Sequence, residues 1–221
     1  MKVGITSLKG GVGKSQLSMN LAVYLAHKGL SVAIIDSDTN QTCSQWSGLR
    51  PEDLPDVTVV GMTDPKQIRR NIGKLEESFD VVIIDGVPAL SQMASTIILL
   101  SDLLLIPLIA SPADLWATEK FLDRYDEART LKGEDIPSYF VFNLHDQRLN
   151  LTKEVEDVVK DYDIQALKHS MKNRVAYREC VATGQGVIEY KNTKAKEEMK
   201  ELGKEIYTLV KAISKWQKVE S

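Results

Sequence analysis

The sequence predicts an α/β fold: a doubly wound, mostly parallel sheet with helices on both faces. Three observations lead there. Short apolar runs rich in β-branched residues alternate with longer helical patterns along the chain. Two of these runs, residues 81–84 and 103–106, are apolar without alternation, as strands covered on both faces are. A strand, a glycine-rich turn and a helix also follow one another within the first 28 residues, the unit with which such sheets begin.

In chain order, strands are expected at residues 2–7, 31–36, 57–61, 80–85, 102–107 and 138–142. Helices are expected near 15–28, 65–78, 89–100, 113–131 and 152–161. The first helix is read from Leu17, Leu21 and Leu25, with Ala22 and Ala26 on the same face. Residues 163–169 are read as a last strand, followed by helices near 174–183 and 193–217. The final helix places Leu202, Ile206, Leu209, Val210 and Ile213 at helical spacing, which reads as a face packed on the sheet. No Pro/Gly-rich linker, internal repeat or low-complexity segment divides the chain, so residues 1–221 are expected to form one domain.

Composition narrows the class. A formal net charge of −3 excludes a molecule that binds nucleic acid through overall charge, so any such affinity must come from a local patch. Cys43 and Cys180 lie far apart without a CxxC pair, which argues against a disulfide framework or a structural zinc site and for a reducing cytosol. No signal-peptide pattern precedes the first strand and no apolar run approaches a membrane span, so a cytoplasmic location is expected.

The chemistry concentrates in Lys9-Gly10-Gly11-Val12-Gly13-Lys14-Ser15. Gly13-Lys14-Ser15 is the end of a phosphate-binding P-loop. Backbone N–H groups surround the phosphates, the lysine reaches the β and γ oxygens and the hydroxyl binds Mg²⁺. The helix that starts here points its free N–H groups at the same anion. Position 8, usually glycine, is Leu8, and an additional cation, Lys9, follows it. A second positive charge at a phosphate site suggests work on the γ-phosphate of its own nucleotide or a neighbour's. The competing dinucleotide fingerprint fails at Gln16, where a third glycine would stand.

Acids are expected beyond the carboxyl ends of the strands, where ligands of open parallel sheets bind. Asp85 closes Val81-Val82-Ile83-Ile84-Asp85, a Walker B pattern whose carboxylate would hold Mg²⁺ through water. Asp36 and Asp38 follow the second strand, which is expected to adjoin the P-loop strand, so that the pair faces the γ-phosphate. A solvated turn is the alternative for these two.

The paired lysines resemble the deviant Walker A box of the ParA/MinD family of ATPases, in which the first lysine is the signature. The resemblance covers most of the chain and is strongest to small plasmid-type ParA partition proteins. It implies an ATPase that uses Mg²⁺ and switches between a monomer and an ATP-bound homodimer. The dimer would bind non-specific DNA of the nucleoid and answer to a ParB-like or adaptor activator. The implied role is to segregate or position a cargo such as a plasmid or a carboxysome.

The resemblance assigns residues as well. Gly10, Gly11, Val12, Gly13, Lys14, Ser15 and Gln16 bind the nucleotide, and Lys9 reaches the partner's nucleotide like an arginine finger supplied in trans. Asp38 positions the attacking water, and Asp36 helps the metal shell with Ser15 and Asp85. Thr39 stands where the family often has proline. Asn143, at the end of a strand, contacts the base, or else serves as a cap; Leu144 stands where many relatives have a basic residue. Pro112 lies in a loop near the base and the dimer interface, and also suits the first position of a helix capped by Ser111.

Lys168, Lys172, Arg174 and Arg178, with His169 and Tyr177 among them, are candidate DNA contacts; the alternative is a solvated helix face. Two rival classes remain. A MinD-like membrane-surface switch would need a lipid-binding terminus, and a membrane is not expected. A nitrogenase-iron-protein-like carrier or a metabolic P-loop ligase is the other, and Cys43 and Cys180 are not placed to bridge an iron–sulfur cluster.

Overall fold

The computed structural model describes residues 1–87, 92–109, 111–145 and 164–220. Among the described residues eight strands form one sheet: β1 (Lys2–Ile5), β2 (Val32–Asp36), β3 (Thr58–Gly61), β4 (Val81–Asp85), β5 (Leu103–Leu108), β6 (Ser138–His145), β7 (Gln165–Ala166) and β8 (Met171–Lys172). The order is β3-β2-β4-β1-β5-β6-β7, with β8 also on β6, and every pair is parallel. Around it lie helices α1 (Lys14–Ala26), α2 (Thr42–Ser47), α3 (Pro65–Ser78), α4 (Gln92–Leu100), α5 (Pro112–Lys132), α6 (Val175–Val181) and α7 (Thr193–Glu220).

The expected fold class is the observed one, with one change of topology. β2 does not adjoin β1; β4 lies between them. The parallel register makes Asp36 the neighbour of Asp85, and Asp85 the neighbour of Ile5. The acids therefore stand in a row at the carboxyl ends of β2 and β4, beside the loop that leaves β1. The helix expected at 152–161 lies outside the described residues. Two short elements, α2 and β8, were not expected.

Alternation of side chains along the buried strands supplies both faces of the sheet. Val3, Ile5, Ile34, Ile83 and Leu105 join one apolar cluster with residues of α1, α2, α6 and α7. Ile35, Val82 and Ile84 turn the other way, into a cluster with α3 and α4. Leu104, Ile106, Phe140 and Phe142 pack with Phe121 and Tyr125 of α5. Helix starts follow local chemistry: the Asp64 carboxylate accepts from the Lys66 N–H at 2.8 Å, and Pro65 occupies the first turn of α3.

α7 completes the core. Ala195, Met199, Leu202 and Ile206 are fully buried, and at Gly203 a Cβ would meet the Tyr24 ring of α1 at 2.5 Å. A second clamp joins the loop before α7 to α2. Arg50 Nη2 donates to Glu189 Oε1 at 2.8 Å and to the Pro55 carbonyl at 2.7 Å, while Trp46 Nε1 donates to the Gln185 carbonyl. Burial alone would raise the Glu189 pKa; hydrogen bonds from Arg50, the Gly186 N–H and His27 outweigh it and leave it lowered.

Candidate nucleotide site

The loop after β1 turns tightly because Gly13 holds φ +85°, a left-handed conformation that disfavours side chains. A Cβ at Gly13 would also lie 2.1 Å from the Asn143 amide nitrogen. That amide is why the approach is so close. Asn143 is buried at the end of β6, and its Nδ2 donates to the Val12 carbonyl at 2.6 Å and the Gly13 carbonyl at 3.3 Å. Its Oδ1 accepts the Leu144 N–H at 2.9 Å. The structure thus sets Asn143 against the phosphate loop, with backbone partners at both ends of its amide. Leu144 follows with φ +51°, a left-handed residue where glycine would be easier.

α1 begins at the loop with Lys14, which is only 6 % exposed. Its Nζ folds back to the Lys9 carbonyl at 3.0 Å. Burial lowers its pKa, and the Asp85 and Asp38 carboxylates oppose that drop. A cavity of about 510 Å³, within the range of small-ligand sites, opens above it. Gly10, Gly11, Gly13, Lys14, Ser15 and Gln16 line one side; Asp38, Asn40, Thr42 and Gly86 line another. Lys9 is not in this lining. It borders a separate crevice with Ile106, Pro107 and Thr118, between β5 and α5. The two lysines of one loop therefore line different hollows.

The acids sit beneath the cavity. Asp85 is fully buried, and burial raises its pKa to about 6 against the stabilising hydrogen bonds of Ser15, Ser18 and Cys43. Ser18 Oγ donates to Asp85 Oδ1 at 2.9 Å and Cys43 Sγ to Oδ2 at 3.3 Å. Asp36 is also fully buried; its Oδ2 accepts the Ser44 N–H at 2.9 Å and hydroxyl at 3.1 Å, while Oδ1 is buried without a partner. Asp38 is half-buried, and its Oδ1 accepts the Asn40 N–H at 2.9 Å, a turn that holds the carboxylate at the cavity.

These residues fit a hydrated divalent cation. The donors are hard oxygens from Ser15, Asp36 and Asp85, and the orphaned Asp36 Oδ1 is a buried acceptor in want of a donor or a metal-bound water. Among the described residues no three His, Cys, Asp or Glu side chains form a closed metal cage. Mg²⁺ commonly keeps several waters and takes its remaining ligands from phosphate, so an open set of this kind suits it.

Several site residues were not foreseen. Ser18, Ser37, Cys43 and Ser44 tie the two acids in place, Ser37 through a 2.5 Å bond from its hydroxyl to the Asp85 carbonyl. Their sequence signal is weak: small polar residues within reach of a motif, visible only once β2 and β4 are adjacent. Pro112 does open α5, as the helix-start reading expected; its side chain is outside the described residues.

Carboxylates of α7 interleave with the basic cluster. Arg174 forks onto Glu198 of α7, with Nε 2.9 Å from both carboxylate oxygens and Nη2 closing the pair. Lys172 Nζ lies 3.7 Å from the same carboxylate. Glu205 accepts the Lys168 N–H and pairs with His169 at 2.7 Å. Arg178 departs from the group altogether and lines the nucleotide cavity. These pairings were not legible in the sequence, because α7 carries the carboxylates 24 to 37 residues downstream, where spacing could not align them with the cluster.

Comparison with known proteins agrees with this geometry. Residues 3–188 match the family model described as the CobQ/CobB/MinD/ParA nucleotide binding domain. A carboxysome-distribution maintenance protein A of Halothiobacillus neapolitanus is 24 % identical over 85 % of this chain and 86 % of its own length. A ParA protein of Rhizobium radiobacter is 35 % identical over 48 % of this chain, and that match spans 47 % of the relative. Among solved structures, the septum site-determining protein MinD of Pyrococcus horikoshii, complexed with Mg-ADP, superposes with TM-score 0.78 over 96 % of this chain and 98 % of its own, at 20 % identity. A plasmid partition protein of Borrelia burgdorferi bound to AMPPNP gives 0.73 at 17 % identity, covering 96 % of this chain and 98 % of its own. With a glycine-rich loop after β1, two buried acids at the ends of neighbouring strands and a family match across most of its length, the chain belongs to the CobQ/CobB/MinD/ParA nucleotide-binding domain family.

Proposed function

We propose that this chain is a Mg²⁺-dependent ATPase, built on one domain, that alternates between a monomer and an ATP-bound dimer and uses the cycle to position or segregate a cargo. One observation carries the reading: Lys14 lines the cavity with Asp38 and Ser15, while Lys9, from the same loop, is outside that lining and borders the crevice of Ile106 and Pro107.

In this reading the backbone amides of Gly10 to Gly13, with Lys14 and Gln16, hold the triphosphate. Ser15, Asp85 and Asp36 hold Mg²⁺, the acids through water; the ion, when bound, neutralises charge developing on the transferred phosphoryl oxygens. Asp38 orients the attacking water and accepts its proton. Lys9 reaches the partner's nucleotide, and Asn143 keeps the loop in its binding shape.

The relatives support a positioning role, since their names speak of carboxysome distribution and plasmid partition. By the same likeness, the ATP dimer binds nucleoid DNA without sequence preference and hydrolysis is triggered by a ParB-like or adaptor activator. Lys168, exposed two residues after β7, and Lys172, which shares Glu198 with Arg174, are the cations proposed for that surface.

Calorimetry tests the foundation. Wild-type protein should bind Mg-ATP, and Lys14→Ala should lose that binding by at least about a hundredfold, because a charge-assisted contact in a water-poor site is removed. Equal affinity of the two proteins would overturn the assignment.

A further inference from the structure

We propose that Arg178 is a phosphate-contacting residue of the nucleotide site: a cation that grips the bound nucleoside polyphosphate from the α6 side of the cavity. The proposal rests on the nucleotide reading above, and it deepens it with a residue that belongs to no phosphate motif.

Four observations lead to it. Arg178 and Val181 both line the cavity that Lys14 and Ser15 enter. They lie three apart on α6, on one helix face, so that face is turned to the ligand space. The helix is fixed in this attitude: Ala176, Tyr177 and Cys180 are buried on its other side, and the side-chain amide of Gln16 donates to the Tyr177 carbonyl. Gln16 follows Ser15 directly, so one hydrogen bond joins the phosphate loop to the residue preceding Arg178.

The fourth observation is charge. Arg174, one turn earlier, is held by Glu198, and Arg50 by Glu189. Among the described residues no carboxylate pairs with Arg178, which is exposed. An arginine left unpaired at the rim of an anion site keeps its planar array of donors for the anion, and that array matches phosphate oxygens in pairs. The cavity also needs the charge. Lys14 already faces Asp38 and Asp85, so its positive charge is partly compensated before a polyphosphate arrives.

The test compares full-length wild type with Arg178→Ala, Arg178→Lys and Lys14→Ala in Mg-ATP titrations, alongside unfolding without nucleotide and binding to labelled duplex DNA. Arg178→Ala should weaken Mg-ATP by about tenfold or more, the scale of one charge-assisted phosphate contact. Arg178→Lys should recover part of it. Unfolding without nucleotide should not change, because the side chain is exposed. If Arg178→Ala binds Mg-ATP like wild type while Lys14→Ala does not, the proposal is overturned and the nucleotide reading stands. If Arg178→Ala keeps Mg-ATP but loses duplex DNA, Arg178 is a DNA contact and the proposal is equally overturned. A wild type that binds no Mg-ATP overturns both.

Discussion

Cys43 Sγ lies 3.3 Å from Asp85 Oδ2, so the first turn of α2 hangs by a thiol from the acid that closes β4. The bond is asymmetric in its demands. Burial and the carboxylates of Asp85 and Asp36 push the Cys43 thiol well up, which keeps it a donor. Asp85 is pushed up as well, from 3.8 to about 6, chiefly by burial.

A pH dependence follows. A carboxyl whose folded-state pKa exceeds its unfolded value binds its proton more tightly when folded, so its contribution to stability falls as pH rises from about 4 to about 6. Asp85→Asn should remove that component from denaturation midpoints of the nucleotide-free protein. Mg-ATP affinity should move the opposite way and tighten through pH 6, since a cation needs the ionised acid. A wild-type affinity that is flat between pH 5 and 7 would contradict the Asp85 role.

Asn143→Ala should loosen the phosphate loop. Two carbonyls lose their donor, at a cost of about 1–3 kcal/mol in stability, and Mg-ATP affinity should fall by about tenfold because the loop is no longer preorganised. Chemical denaturation and calorimetry check both. If Asn143 served only the base, GTP and ATP discrimination would change while stability did not.

How much of this was legible in the sequence depends on distance along the chain. The phosphate loop, Asp85 and the strand cores were readable because each is a local pattern of a few residues with its own periodicity. α2 was not: Thr42–Ser47 is six residues with no repeat of an apolar face, and it is fixed by Asp36 and Asp85 from other elements. The position of β2 was misjudged because strand order is set by crossovers, which leave no mark on the strands themselves. The contact of Asn143 with the phosphate loop was not legible because a strand-terminal amide has the same appearance whether it faces a base, caps a strand or holds a loop 130 residues away. Arg174 and Arg178 looked equivalent at helical spacing, and only Glu198 separates them.

Lys9→Ala should retain Mg-ATP binding within about threefold, because Lys9 stands outside the cavity lining, yet lose turnover and ATP-dependent dimerisation. Light scattering with ATP and a phosphate-release assay read the two effects. Unchanged turnover would make Lys9 an ordinary loop residue.

Asp38→Ala should bind Mg-ATP and stall, because the phosphate and metal contacts remain while the water loses its orienting carboxylate. Phosphate release should fall by about a hundredfold or more, and size exclusion with ATP should show a persistent dimer. Normal hydrolysis would return Asp38 to the solvated-turn reading, which the full burial of Asp36 already excludes for its neighbour.

The contact of Gly203 with the Tyr24 ring bears on what α7 is free to do. α1 starts at the glycine-rich loop and ends beneath α7, and Met199, Leu202, Ile206 and Val210 are all buried in the shared core. Peeling this helix away, to lie on a lipid surface for example, would expose four large side chains at roughly 1.5–3 kcal/mol each. That sum is comparable to the whole stability of an ordinary domain. The helix therefore acts as a keel, and a signal leaving the nucleotide site along α1 would have to tilt it as a rigid body.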